Sequence, residues 1–266
     1  MVQFGPLAVN RVPFVSYYAK IRGWPYVIAW CHRIAGFFLI AYLWFHIYTL
    51  LSLSSPTFYN ATMKIYQCSL FTILEWGLGF PVIFHALNGG RLILYESFES
   101  RNDESMIQWV SGLSFVYMLL LGLLMMLGNQ SVSPVFYWLT MLVASLVLAY
   151  AVALKVWKIR HSMPWRVQRI SGAFLLIMVP AHLLFMHLNP SVGKEANIVI
   201  MRMQHWYIKA VDMGLLVAAL YHAGYGMISV LRDYVLFRII RMTLAVLIVL
   251  FILIFAWAGI RLIFII

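Results

Sequence analysis

The sequence predicts an all-α, polytopic transmembrane helix bundle of about seven spans, and three observations carry that expectation. Of the 266 residues, 64% are hydrophobic and only 10% are charged, with a mean hydropathy of +0.90. A water-soluble domain has no interior large enough to hide that much apolar surface. Seven apolar runs are each long enough to cross a hydrocarbon core of ~30 Å, which takes about 20 helical residues. The runs are too long, and alternate too little, to be the strands of a membrane barrel.

In chain order the runs fall near 27–51, 68–94, 107–127, 135–157, 170–188, 207–231 and 239–265, with ends good to about three residues. The first starts late and lacks a small-residue cleavage site, so it reads as a retained helix and not as a signal peptide. No polar stretch is long enough for a separate soluble domain, so chemistry in the water phase falls to partner chains. Seven spans put the termini on opposite sides. With the N-terminus inside, fourteen Lys and Arg residues face inward, among them Arg11, Arg33, Arg91, Arg101, Arg169 and Arg232, against five outside. The excess of basic residues on cytoplasmic loops then sets the C-terminus outside a cytoplasmic (inner) membrane. The formal charge of +11 reads as loops facing anionic lipid, not as a nucleic-acid surface.

Cys31 and Cys68 are the only cysteines, and no C-x-x-C occurs. That excludes iron–sulfur ligation by this chain and c-type haem attachment. No phosphate-binding or dinucleotide loop is present.

Two patterns occur twice. Arg33-Ile34-Ala35-Gly36, followed by His46, returns as Arg169-Ile170-Ser171-Gly172, followed by His182, at an offset of 136 residues. Glu75, His85-Ala86 and Gly89 return as Asp212, His222-Ala223 and Gly226, at an offset of 137. Three helices starting inside finish outside, so a second unit in the same orientation needs one extra span. The expected organisation is therefore a single membrane domain: repeat one (about 1–128), a linker helix (about 129–160) and repeat two (about 161–266).

The four repeated histidines are candidate metal ligands. Helical rise sets His46 and His182 ~20 Å beyond their arginines, in the outer half. His85 and His222 precede Arg91 and Arg232 by ~9 and ~15 Å, in the inner half. Facing imidazoles at each level are what bis-histidine ligation of haem b requires, His85 with His222 at the inner iron and His46 with His182 at the outer. Gly89 and Gly226 lie one turn beyond their histidines, where a side chain would collide with a flat macrocycle. His32, His161, His187 and His205, at or near segment ends and without repeat partners, read as interfacial residues, though His32 beside Arg33 could reach a haem propionate. Arg33, Arg91 and Arg169 are candidates for neutralising propionates or positioning a quinone. Glu75 and Asp212 lie near the outer face, where a carboxylate could accept protons from a quinol; an acid in the apolar zone costs about 2.5–3.5 kcal/mol on insertion scales. The competing account of the histidines is polar bonding between helices.

With these residues in hand, the chain resembles the membrane-anchor cytochrome b of succinate:quinone oxidoreductase and fumarate reductase (complex II). His32-Arg33-Ile34-Ala35-Gly36 is similar to the family's H-R-x-S-G signature, and His85 through Arg91 to its H-x(3)-G-x-R segment. His222-Ala223-Gly224-Tyr225-Gly226, ending in Arg232-Asp233-Tyr234, is similar to the second anchor subunit, so the chain looks like a fusion of two three-helix anchors. The resemblance implies one or two haem b groups and a quinone, with menaquinone favoured, near Arg33, Asp233 and Tyr234. Ala29 stands where the family has a serine. It also implies a flavoprotein and an iron–sulfur partner on the cytoplasmic face, and leaves room for a homo-oligomer of the whole complex. The dicarboxylate chemistry would belong to those partners, and this chain would anchor them, hold haem and react with quinone. Two rivals stay open: a di-haem cytochrome b of a formate dehydrogenase or hydrogenase, and a cofactor-free transporter built from parallel repeats.

Overall fold

The computed structural model describes residues 13–98, 102–127, 133–188 and 191–265; Arg11 and Arg101, counted above, lie outside them. A short α1 (Pro13–Arg22) leads into α2 (Trp24–Leu51), followed by α3 (Pro56–Tyr66), α4 (Ser69–Ser97), α5 (Asp103–Leu127) and α6 (Pro134–Val156). The second half holds α7 (Met163–Leu188), α8 (Ser191–Lys194), α9 (Ala196–Met203), α10 (Trp206–Tyr234) and α11 (Arg238–Ile265). Seven of these, α2, α4, α5, α6, α7, α10 and α11, are long and apolar enough to cross a membrane. Helices are the expected solution, because lipid offers no partner for an unpaired backbone group.

Local chemistry sets the breaks. Gly23, at φ 80°, takes a conformation that side chains disfavour and lets the chain turn between α1 and α2. Proline opens α2, α3 and α6 within the first turn, where its missing N–H is no loss. Helix α7 starts at Met163, seven residues before the expected 170. Arg166, Gln168 and Arg169 look like loop residues in the sequence, but as part of α7 each finds a partner outside the helix. Arg166 donates to the Ile159 carbonyl at 3.0 Å, and Arg169 reaches Glu96 on α4.

Four helices form a closed ring at the centre: α2 packs on α4, α4 on α7, α7 on α10, and α10 back on α2. Outside it, α5 flanks α4, α6 flanks α7, and α11 flanks α10 and α2. The outermost surface is apolar, as on α11, where Ile239, Leu253 and Trp257 are exposed, so a lipid solvent suits it.

The two ends of the bundle differ. One end, where α2 and α7 begin, carries Arg33, Arg91, Arg169 and Arg232 and is called the basic end. At the other, α3 and α9 lie together as a platform around buried Leu53, Tyr59, Ala196, Val199 and Met203. The Tyr59 hydroxyl donates to the Gly193 carbonyl at 2.6 Å, and the Ala196 N–H to Asn60 Oδ1 at 2.9 Å. Neither α3 nor α9 is evident from the sequence, because both are shorter than a span and carry mixed polarity.

Candidate functional site: two histidine pairs in the central ring

Each helix of the ring contributes one histidine: His46 from α2, His85 from α4, His182 from α7 and His222 from α10. The ring brings them together two by two. His85 and His222 have ring centroids 6.1 Å apart with planes at 83°. His46 and His182 also stand 6.1 Å apart, at 82°. Two imidazoles that each bonded one metal ion at about 2.0 Å, with about 1.1 Å from nitrogen to centroid, would have centroids about 6 Å apart. The spacing therefore suits one metal ion between the rings of each pair. Among the described residues no cluster of three or more His, Cys, Asp or Glu could hold a metal. A metal-bearing macrocycle would need from the protein only the two imidazoles of a pair.

At the basic-end pair, the His32 carbonyl receives a hydrogen bond from His85 Nδ1 at 3.1 Å. A carbonyl only accepts, so Nδ1 carries the proton and Nε2 keeps its lone pair, as a ligating imidazole requires. The Gln168 amide nitrogen lies 3.5 Å from His222 Nε2, while His222 Nδ1 is buried without a hydrogen-bond partner. His32 is not interfacial: its ring stacks on His85 at 3.8 Å, with planes at 8°. His32 and Gln168 are 136 residues apart, and they do matching work. A Cβ on Gly89 would meet His32 Cε1 at 3.9 Å, and one on Gly226 would meet Gln168 Nε2 at 4.0 Å. Both glycines thus face the end of a movable side chain. Gly36 and Gly172 are tighter. A Cβ there would come within 3.2 Å of His85 Cε1 and 3.1 Å of His222 Cε1, so each imidazole rests on the bare backbone of the neighbouring helix.

The platform-end pair has other walls. Tyr42 stacks on His46 at 5.7 Å. Trp138 of α6, 1% exposed, lies 6.0 Å from the His182 ring. The neighbouring Tyr137 hydroxyl donates to the Ala181 carbonyl at 2.8 Å. Helix α6, expected only to return the chain across the membrane, therefore builds one side of this pair. Trp138 had no signal in sequence, since it belongs to neither repeated pattern. His182 Nδ1 is buried without a hydrogen-bond partner.

The remaining expected residues separate. Arg91 is tied to Asp103 and, through Nε, to Asn88 Oδ1 at 2.8 Å. Arg169 grips Glu96 with two hydrogen bonds of 2.7 and 2.9 Å. Arg33 has no carboxylate within 4.0 Å among the described residues; its guanidinium lies 5.5 Å from the Tyr234 ring centre and 5.6 Å from that of Trp30. Asp233 is exposed beside Tyr234. At the platform end, Glu75 Oε1 lies 4.0 Å from Nε2 of buried His187, and Asp212 sits in the field of Arg202. A cleft of about 390 Å³ is lined by α4, α5, α6 and α7 residues such as Leu87, Arg91, Trp109, Val152 and Leu176. None of the four histidines lines it.

Seven apolar helices enclosing two part-buried histidine pairs define an integral membrane protein. The family model for the succinate dehydrogenase/fumarate reductase transmembrane subunit matches residues 24–121 and 149–257, and the chain belongs to that family. It is accordingly a membrane subunit that works with the other subunits of succinate dehydrogenase or fumarate reductase. The chain is also 35% identical over 101 residues to the succinate dehydrogenase 2 membrane subunit SdhC of Mycobacterium tuberculosis (strain ATCC 25618 / H37Rv). That match covers 37% of this chain and 74% of the relative, which is therefore about half as long. No solved structure matches the chain.

Proposed function

We propose that the chain is a di-haem cytochrome b anchor that passes electrons between an iron–sulfur partner and membrane quinone. The observation that carries this reading is the pair of pairs: His85 with His222, and His46 with His182, each at 6.1 Å and nearly perpendicular. Haem b, when bound, supplies one-electron ferric/ferrous chemistry. The chain's residues do the rest. His85 offers Nε2 because its other nitrogen is committed to the His32 carbonyl. His32 and Gln168 stand beside the basic-end pair, and both would have to swing aside to admit a macrocycle. Gly89 and Gly226 keep that space free of side chains on the helix itself.

The quinone would bind at the basic end, where the Arg33 guanidinium and Tyr234 hydroxyl can both donate to a quinone carbonyl. Menaquinone remains favoured by the resemblance. Arg91 and Arg169 are less suited to hold propionates than the sequence suggests, since each already faces a carboxylate. Glu75, 42% exposed beside His187, is placed to take up a proton at the platform end, and Asp212, near Arg202, is the second acid there. The basic end would face the cytoplasm, with the N-terminus on that side of the inner membrane. There it would meet the iron–sulfur subunit, which relays electrons from a flavoprotein. The two family-matched stretches, 24–121 and 149–257, support two fused repeats joined through the first part of α6.

A reduced-minus-oxidised spectrum of the purified complex tests the reading. A b-type α-band with two haems per chain by pyridine haemochrome is expected. One haem would remove the platform-end assignment, and no band would favour a cofactor-free transporter.

A further inference from the structure

Arg202 lies on α9, in the platform, and its guanidinium is turned inward. Its Nε is buried without a hydrogen-bond partner, and its Nη1 meets only Met186 Sδ, at 3.3 Å, a weak acceptor. Among the described residues no carboxylate oxygen lies within 4.0 Å of it, whereas Arg91 and Arg169 both have one. Asp212 is the foremost charge acting on it, followed by Tyr59 and Tyr207, yet none of these makes a hydrogen bond to it. Burial pulls the guanidinium below its ordinary pKa, but an arginine does not give up its proton in a protein. Part of a planar fork of donors has thus been taken out of water with no oxygen to accept from it, which is costly unless an anion completes it.

The position shows which anion. Met186 is four residues beyond His182, one turn along α7, so the guanidinium stands over that ring's end of the helix. Its field reaches both His46 and His182. In the first half, the residue 136 positions earlier is Tyr66, whose ring packs on Phe71 at 5.0 Å. The cation is therefore no part of the repeated scaffold. It belongs to the platform-end site alone.

We infer that Arg202 is the anion-holding residue of the platform-end site, binding a propionate carboxylate of a haem held between His46 and His182. The inference rests on the haem reading of that pair. A guanidinium takes a carboxylate through two parallel N–H bonds, and its charge disfavours the ferric state, which carries one more positive charge than the ferrous. Arg202 thus both seats the macrocycle and raises its potential.

The test is a redox titration of the intact complex with R202Q, R202K and H182A. The haem that H182A removes identifies the platform-end centre. In R202Q the reduction equilibrium of that haem is expected to fall at least tenfold, 59 mV for a one-electron couple, with the other haem unmoved. R202K keeps the charge without the fork and is expected to fall by about threefold; it decides the matter if R202Q does not assemble. Unmoved potentials in the assembled variants, or equal shifts in both haems, would overturn the role of Arg202. If the wild-type complex carries no haem that depends on His182, the underlying assignment fails instead, and pyridine haemochrome separates the two outcomes.

Discussion

The two histidine pairs share a spacing and differ in everything around it. At the basic end the walls come in matched sets: His32 answers Gln168, and Gly36 answers Gly172. Each glycine supports one imidazole within 3.2 Å of where a Cβ would stand. At the platform end the neighbours are unmatched: Tyr42, Trp138 and Arg202 have no counterparts in the other half. The contrast teaches that ring spacing is a product of the duplicated helices, whereas polarity and charge come from α6 and from positions at which the two halves differ.

The largest effects that sharpen this contrast concern the ligands. H222A is expected to abolish the basic-end haem and H46A the platform-end haem, each halving haem per polypeptide and sparing the other band. Loss of both centres in either variant would break the division into two levels. Next comes W138A, which empties a fully buried site and is expected to cost ~3–5 kcal/mol by thermal unfolding in detergent. It should weaken haem retention at the His46–His182 level only. G172A forces the His222 ring to give way by a few tenths of an ångström. Overpacking of this kind costs ~1–3 kcal/mol, and haem content should fall at the basic-end level alone. Glu75→Gln is expected to slow quinone-linked turnover severalfold in a steady-state assay, with the visible spectrum intact. The smallest effect belongs to Y59F, where loss of one hydrogen bond to Gly193 is worth about 1 kcal/mol. A shift in melting temperature with unchanged haem content would mark it as purely architectural.

How far the sequence led depends on what kind of signal a residue leaves. Span number was legible because lipid demands long apolar helices, and seven are present. The pairing of His46 with His182 and of His85 with His222 was legible because depth follows from helical rise and duplication tells which helices face each other. Helix α7 was read seven residues short because Arg166, Gln168 and Arg169 look like a loop until their partners are known. His32 was misjudged for a related reason: its place beside Arg33 suggests an interface, while only the packing of α2 on α4 lays it against His85. Trp138 and Arg202 left no trace, because nothing local distinguishes them from the tryptophans and arginines that line any membrane surface.

The platform has a bearing on how the polypeptide holds itself together. Tyr59 reaches Gly193, and Asn60 receives the Ala196 N–H, so the first half is buckled to the second at the end of the bundle opposite the basic residues. Covalent continuity between the halves is thus backed by a second fastening far from the α6–α7 connection. A nick between α6 and α7 would leave two fragments still clasped at their far edge, with the imidazoles in register.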